Sequence, residues 1–338
     1  MVPSKDNDLL QDRQKSANRS FWGLFFRIAV SGFFVWIILH ELDIALMARA
    51  VRSIDSAFFF LSFLAFMILE LPIALRVRAL LRTTVLQPSL WRLVHVDIMS
   101  RFYAAFLPAG VGTNLFRWFR ITENRSGRGQ FLMVLAVEKI LFLTVTLLAS
   151  GLPLLWIQDG RLADFKRGFI PVFWFLAGLL FLLYLYLLVP AVQNASDRVV
   201  RPLRNGLPAR VGNLWDKVVN AACIYRGQWK IMGLAFLFSL VLQMGLLLMF
   251  TLLFFALRVP LPVFDILWIS SLVFLVQTLP ISLAGIGVRE SGFAYLVSLY
   301  DIPPENGVLI GVLFGLLFFM RSLVGIALYL AERRGKAT

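Results

Sequence analysis

Six stretches of the chain stay apolar for about the length of a bilayer crossing, and two more start to and then break. The unbroken runs lie at 21–40, 57–79, 130–157, 169–189, 230–257 and 306–330. At 1.5 Å per residue, about twenty apolar residues of helix span ~30 Å of hydrocarbon. The two broken stretches have a different rhythm. Residues 90–116 carry Arg92, His95, Asp97 and Arg101 and then meet Pro108, Gly110 and Gly112. Residues 265–300 give two short apolar pieces separated by "LPISLAGIGVRE".

The pattern predicts an all-α polytopic membrane protein with about six full transmembrane helices and two re-entrant broken-helix hairpins. Residues 1–20 read as a polar cytoplasmic N-terminus and 21–330 as a single transmembrane domain. Its halves, about 21–157 and 169–330, join through a cytoplasmic loop at 190–228, and 331–338 form a basic cytoplasmic tail. The first run is long for a signal-peptide core and is read as a retained helix.

Charge along the loops orients these pieces. With a cytoplasmic N-terminus and each broken piece entering and leaving on one side, Arg76, Arg78, Arg82 and Arg92 fall inside. So do Arg117, Arg120, Arg125 and Arg128, and the C-terminal Arg333, Arg334 and Lys336. The opposite loops are mixed or acidic, with Glu41, Asp43, Asp159, Asp301 and Glu305. A full crossing by 90–116 would put the Arg117–Arg128 cluster outside, against the positive-inside bias. The expected location is the cytoplasmic (inner) membrane, with both termini cytoplasmic. The two hairpins then enter from opposite sides, each between two full helices. Each carries Leu-Pro, Gly-x-Gly and Arg in that order, as an inverted repeat would leave them.

Composition agrees: 59% of the 338 residues are hydrophobic and 15% charged. The net charge of +14 would suggest nucleic acid in a soluble protein. Here the basic residues sit in short loops between apolar runs, where anionic headgroups lie, so no nucleic-acid partner is expected. One cysteine, Cys223, forms no internal disulfide, and His40 and His95 are too isolated to announce a metal site. The sequence holds no P-loop, G-x-S-x-G, H-E-x-x-H or CxxC pattern, and no cofactor is expected.

The candidate chemistry lies at the breaks. In "FYAAFLPAGVGTNLFRWFR", Pro108, Gly110 and Gly112 supply a turn, and Thr113 and Asn114 are placed to cap the following helix. A helix N-terminus attracts anions, and Arg117, one turn in, adds a bidentate donor for phosphate or carboxylate. With Arg101 these residues form a candidate headgroup site; the competing reading is a tight turn with snorkelling arginines. Gly285, Gly287, Arg289 and Glu290 repeat the arrangement in the second hairpin, Glu290 being a candidate salt-bridge partner of Arg289. Four more charges lie inside apolar runs: Glu70, Glu138, Lys139 and Arg321. Such charges are costly in a bilayer and face an interior. Glu138 is expected either to pair with Arg117 or Arg101 or to couple protons. Glu70, near Arg76 and Arg78, reads as interfacial, and Arg321 as a partner of Glu290.

"LRVRALLR", "SRFYAAFLPAGVGTNLFRWFRI", "VLAVEKI" and "LPISLAGIGVRESGFAYL", in this order, resemble the membrane region of lysylphosphatidylglycerol synthases and of stand-alone flippase-like proteins. The resemblance covers about residues 20–330. Gly112-Thr113-Asn114 stands where the family tends to have Gly-Gly-Asp, and Glu138-Lys139 where it tends to have Glu-Arg. The resemblance implies a module that binds or translocates lipid. The soluble aminoacyl-transferase domain of the bifunctional synthases has no counterpart here, so lysyl transfer is not implied. The implied partner is a membrane lipid with an anionic headgroup (phospholipid, polyprenyl-linked or hopanoid-type), together with a lipid-pathway enzyme.

Three functions compete. A translocator would pass a headgroup between Arg117 and Arg289. A membrane-embedded transferase on a polyprenyl-phosphate donor would use an outer-loop acid, with Asp43 of "HELD" as its candidate. A non-catalytic scaffold would act through the 190–228 loop. The expectation is that the chain is not an enzyme.

Overall fold

The computed structural model describes residues 54–106, 111–123, 126–190, 223–278 and 285–335, all helical or in short connections among these residues. The first apolar run, Asp43, Pro108, Gly110 and most of the 190–228 loop lie outside them.

Helix α1 (Ser56–Ile68) starts where Asp55 accepts the N–H groups of Ala57 and Phe58, at 2.9 and 3.3 Å. It breaks at Leu69 and resumes as α2 (Glu70–Leu81). Pro72 explains the break, since it has no N–H to offer the carbonyl four residues back. Two helices follow, α3 (Leu90–Phe106) and α4 (Val111–Thr122). The chain then turns at Gly127, whose φ of 100° is strained for any residue with a Cβ, and enters the long α5 (Arg128–Trp156). A short 3₁₀ turn (Gly160–Leu162) leads into α6 (Ala163–Leu188). The second half repeats the order: α7 (Trp229–Ala256), α8 (Val263–Gln277), α9 (Val288–Ser298) and α10 (Pro304–Gly335).

Five helical segments among the described residues are long and apolar enough to cross a membrane: Ser56–Leu81, Arg128–Trp156, Gly160–Leu188, Trp229–Ala256 and Pro304–Glu332. This is a multi-pass membrane protein. These segments coincide with five of the six runs read from the sequence, and the shorter α3, α4, α8 and α9 occupy the two broken stretches.

The helices pair across the two halves. The α1–α2 rod packs on α7, α3 packs on α10, and α8 packs on α5. Within the second half α9 lies tightly along α10. The reason is a row of glycines one turn apart. A Cβ on Gly307 would fall 2.6 Å from Ala294 Cα, and one on Gly311 would fall 2.8 Å from Glu290 Cα. Gly315 lies against the Arg289 guanidinium. Small residues at this spacing let helix backbones approach without a gap. Gly325 does the same where α10 crosses α3, facing the Ile98 carbonyl.

Helix α6 is the peripheral one. Phe173 covers Gly151 of α5, while Val172, Trp174, Phe175, Leu179, Phe181 and Leu182 are exposed in a row that suits contact with lipid. Two hydrophobic cores fill the bundle. One gathers Phe66, Leu69, Phe250, Trp268, Phe293 and Phe314; the other gathers Val77, Leu80, Met99, Phe131, Val134 and Tyr225. Along α2 and α7 the cores meet between Ile73 and Ala74 and between Ala235 and Leu242. A layer of buried charge lies at that junction.

Candidate functional site: a buried charge layer around a cavity

Five helices send ionised side chains into this layer. Glu138 of α5 accepts from two guanidiniums, Arg76 Nη2 at 2.8 Å on one oxygen and Arg117 Nη1 at 2.9 Å on the other. Arg117 Nε reaches Asp97 Oδ1 of α3 at 2.6 Å. Glu70 forms the second centre. It accepts Arg101 Nε and Nη2 at 2.9 and 3.0 Å, and Arg321 Nε of α10 at 2.7 Å. Arg321 also lies over the Phe66 ring, 4.2 Å from its centroid. Arg76 Nη1 donates to Ser239 of α7 at 3.2 Å.

At 1.5 Å per residue, Glu138 lies about 15 Å along α5 from its start, and Glu70 about 16 Å from the end of α2. Both carboxylates are thus roughly half a bilayer deep. A buried ion pair persists there only with good geometry and satisfied hydrogen bonds. Most of the donors meet that condition; some do not. Arg117 Nη2, Arg76 Nε and Asp97 Oδ2 are buried without a hydrogen-bond partner. Arg117 is 5% exposed, so its free N–H₂ cannot be supplied by bulk water.

These groups border a cavity of 430 Å³. Its polar wall includes Arg76, Arg101, Asn114, Arg117, Lys139 and Arg321. Its apolar wall includes Leu69, Ile73, Leu242, Leu246, Phe274 and Phe318. Lys139 is exposed along α5 in the bare protein, with its ammonium 5.3 Å from the Phe142 centroid. The lining combines five cations and the Glu138 carboxylate with aliphatic and aromatic side chains.

The first hairpin delivers most of what its sequence promised, with one change of detail. Arg101, Thr113, Asn114 and Arg117 all line the cavity. Helix α4 begins at Val111, so Gly112, Thr113 and Asn114 form its first turn instead of preceding it, and Thr113 and Asn114 are not its caps. The backbone N–H groups of that turn have no intrahelical partner.

Three pairings differ from expectation. Glu70 is not interfacial: it is 2% exposed and held by Arg101 and Arg321. Glu70 faces α3 and α10, while Arg76, six residues on and about 240° around the same helix, faces α5. Arg321 therefore pairs with Glu70 and not with Glu290. Arg76, counted among the cytoplasmic loop charges, is a 4% exposed member of the layer. Glu138 does pair with Arg117, but its second partner is Arg76, since Arg101 is taken by Glu70.

The second hairpin is arranged differently from the first. Arg289 pairs with its neighbour Glu290 through Nε at 3.0 Å and through Nη2. Glu290 also accepts the Gly287 N–H at 2.7 Å, capping α9, where Gly285 and Gly287 have φ of 78° and 84°. The Arg289 guanidinium faces Gly315 and the Phe314 ring of α10. Gly285, Gly287, Arg289 and Glu290 are absent from the lining of the 430 Å³ cavity.

Two members of the layer carried no weight in the sequence reading. By its place in the sequence Arg76 reads as a loop charge, and Asp97 has no evident role. Asp97 and Arg101 stand four residues apart on one apolar helix, a spacing that would have flagged them. A smaller cleft of 210 Å³ lies at the end of the bundle where α3 begins, lined by Arg92, His95, Arg120, Glu123 and Glu332. Among the described residues no three His, Cys, Asp or Glu side chains gather closely enough to hold a metal ion.

Comparison with known families gives one result. Residues 24–325 match the lysylphosphatidylglycerol synthase TM region, so the match spans nearly the whole chain and the chain belongs to that family. No curated protein and no solved structure matches it.

Proposed function

From membership of the lysylphosphatidylglycerol synthase TM region family, we propose that the chain binds a membrane lipid by an anionic headgroup and carries it through the bilayer. The observation that carries this reading is the cavity itself. It sits at mid-bilayer depth, lined by four arginines together with aliphatic and aromatic side chains, and Arg117 Nη2 and Arg76 Nε are buried beside it without partners. Phosphate oxygens accept from Arg117 Nη2 and from the first turn of α4, while the hydrocarbon chain lies along Leu69, Ile73, Leu246 and Phe318.

In this reading no covalent bond is made, and the protein lies in the cytoplasmic membrane with both termini inside. Two observations support the re-entrant, inverted architecture. The start of α3 meets the end of α4 where Arg92 donates to the Arg120 carbonyl, and α4 meets the start of α5 where Trp118 donates to the Arg128 carbonyl; the start of α8 meets Tyr300, just before α10 and near the other end of α5, where Arg161 pairs with Asp301. The contacts α3–α10 and α5–α8 are also counterparts under exchange of the halves. Two bundles related in this way can rock about a fixed midplane site. Glu138 then belongs to the walls of the site: each of its oxygens already accepts from a guanidinium. The Arg289–Glu290 pair, closed against α10, marks where the second half would have to open for an outward station.

Translocation is tested with the full chain in proteoliposomes containing a trace of head-labelled fluorescent phosphatidylglycerol, following loss of the inner-leaflet label to an external quencher. The reading expects protein-dependent loss, abolished by Asn114→Trp, which fills the cavity. Equal rates for wild type, Asn114→Trp and empty liposomes would overturn it.

A further inference from the structure

The charges around the cavity do not cancel. Arg76, Arg101, Arg117, Lys139 and Arg321 are its cations. The carboxylates that touch them are Glu70, Asp97 and Glu138. Among the described residues, five cations against three carboxylates leave two positive charges without a counterpart. The surplus can be located. The two glutamates are each shared between two guanidiniums, and Asp97 binds only Arg117. Lys139 forms no ion pair among the described residues. Unmatched positive charge at this depth is costly, and an occupant that supplies the missing negative charge removes the cost.

We infer that the cavity is charge-matched to a headgroup bearing two negative charges, with Lys139 answering the second of them. This rests on the headgroup reading above and narrows it. A phosphomonoester on a lipid or prenyl chain meets the requirement, and so does a diphosphate esterified at both ends or a lipid with two phosphodiesters. A lipid with a single phosphodiester leaves one positive charge unmatched, a zwitterionic lipid leaves two, and a lipid carrying an added lysyl group makes the mismatch worse. The geometry agrees with the count. Arg117, whose buried Nη2 has no hydrogen-bond partner, and Lys139 line the same cavity, from α4 and from α5. Two separate donors suit a doubly charged group, which needs contacts on more than one side. Lys139 is a positioning cation for cargo that enters along α5, where it is exposed.

The test titrates the purified full-length protein in detergent at pH 8 with water-dispersible lipids of one chain length. The probes are dioctanoyl phosphatidic acid, farnesyl phosphate, short-chain cardiolipin, dioctanoyl phosphatidylglycerol and its lysyl ester. The expected result is at least tenfold tighter binding of the doubly charged probes than of phosphatidylglycerol, and no binding of the lysyl ester. Comparing phosphatidic acid with cardiolipin separates a phosphomonoester from paired phosphodiesters. Lys139→Met keeps every ion pair of the layer and is expected to bring the doubly charged probes down to the phosphatidylglycerol value, with Lys139→Arg restoring the gap. Equal affinity for phosphatidic acid and phosphatidylglycerol, both weakened by Arg117→Gln, would overturn the charge match and leave the headgroup site standing. Binding of every probe alike, unchanged by Arg117→Gln, would overturn both.

Discussion

Replacing Glu138 by glutamine separates the two things this carboxylate does. Each of its oxygens takes a guanidinium, at 2.8 and 2.9 Å, and both arginines are buried. The amide keeps the shape of the side chain but cannot balance either charge. Removing one partner of a buried pair costs about 3–5 kcal/mol, because the charge left behind is unsolvated. The lipid-free protein in detergent is therefore expected to lose about that much stability, read as a large drop in thermal midpoint. Anion affinity should move the other way. An extra unmatched charge about 5 Å from a bound phosphate contributes roughly 3 kcal/mol at an effective dielectric of 20. The variant is thus expected to bind dioctanoyl phosphatidic acid more tightly than wild type and to recover most of its lost midpoint when saturated with it. The assay is a thermal melt across a lipid titration, for wild type and variant side by side. A variant as stable as wild type, or one that binds the lipid more weakly, would refute the assignment of Glu138 as a charge-balancing wall of an anion site.

Other parts of the structure give independent expectations. Gly307→Val forces a methyl-bearing Cβ against the backbone of Ala294 and should destabilise the α9–α10 pair by about 1–3 kcal/mol, seen as lower yield and thermal midpoint, while Gly129→Val, which meets nothing, should be nearly silent. At the far end of the bundle Arg161 joins Asp159 at 2.7 Å to Asp301 at 3.0 Å, and both carboxylates lie outside the membrane-crossing segments. The Arg161 hydrogen bonds hold the Asp159 carboxyl below its ordinary value. A carboxylate depressed in the folded state contributes stability that is present above its unfolded value and lost as pH falls through the folded one. Wild type should therefore lose part of its midpoint advantage over Arg161→Gln as pH is lowered below about 4, and a constant difference across that range would count against the latch.

Five of the spans were legible in the sequence because each is decided locally, while the break at Pro108 lies outside the described residues. A run of twenty apolar residues can do little but cross. Helix ends fell within a few residues of expectation for the same reason. The ion pairs were not legible. Glu70 and Arg321 are 251 residues apart, and Arg76 and Glu138 are 62 apart, so their meeting depends on how α2 packs between α5 and α10. Local spacing reads Glu70, near Arg76 and Arg78, as interfacial, whereas Arg76 lies about 240° around α2 from Glu70 and reaches Glu138 instead. Arg76 looked like a loop charge because it lies near the end of an apolar run. The Arg289–Glu290 pair, by contrast, was legible, since the two residues are neighbours in the sequence. That outcome depends on Glu290 being the next residue and on Gly315 leaving room for the guanidinium. One signal was readable and went unread: Gly307, Gly311 and Gly315, four apart on an apolar helix, mark the face on which another helix lies.

The central claim, a lipid headgroup held in the mid-bilayer cavity with its chain along the apolar wall, is tested most directly by photo-crosslinking. The full chain, reconstituted in nanodiscs with a trace of phosphatidic acid bearing a diazirine in its acyl chain, is irradiated and its labelled peptides are identified by mass spectrometry. The account predicts labelling at Leu69, Ile73, Leu246 and Phe318, suppressed by excess unlabelled phosphatidic acid and by Arg117→Gln. Labelling confined to the lipid-facing row of α6, at Val172, Phe175, Leu179 and Phe181, and unaffected by competitor would contradict it.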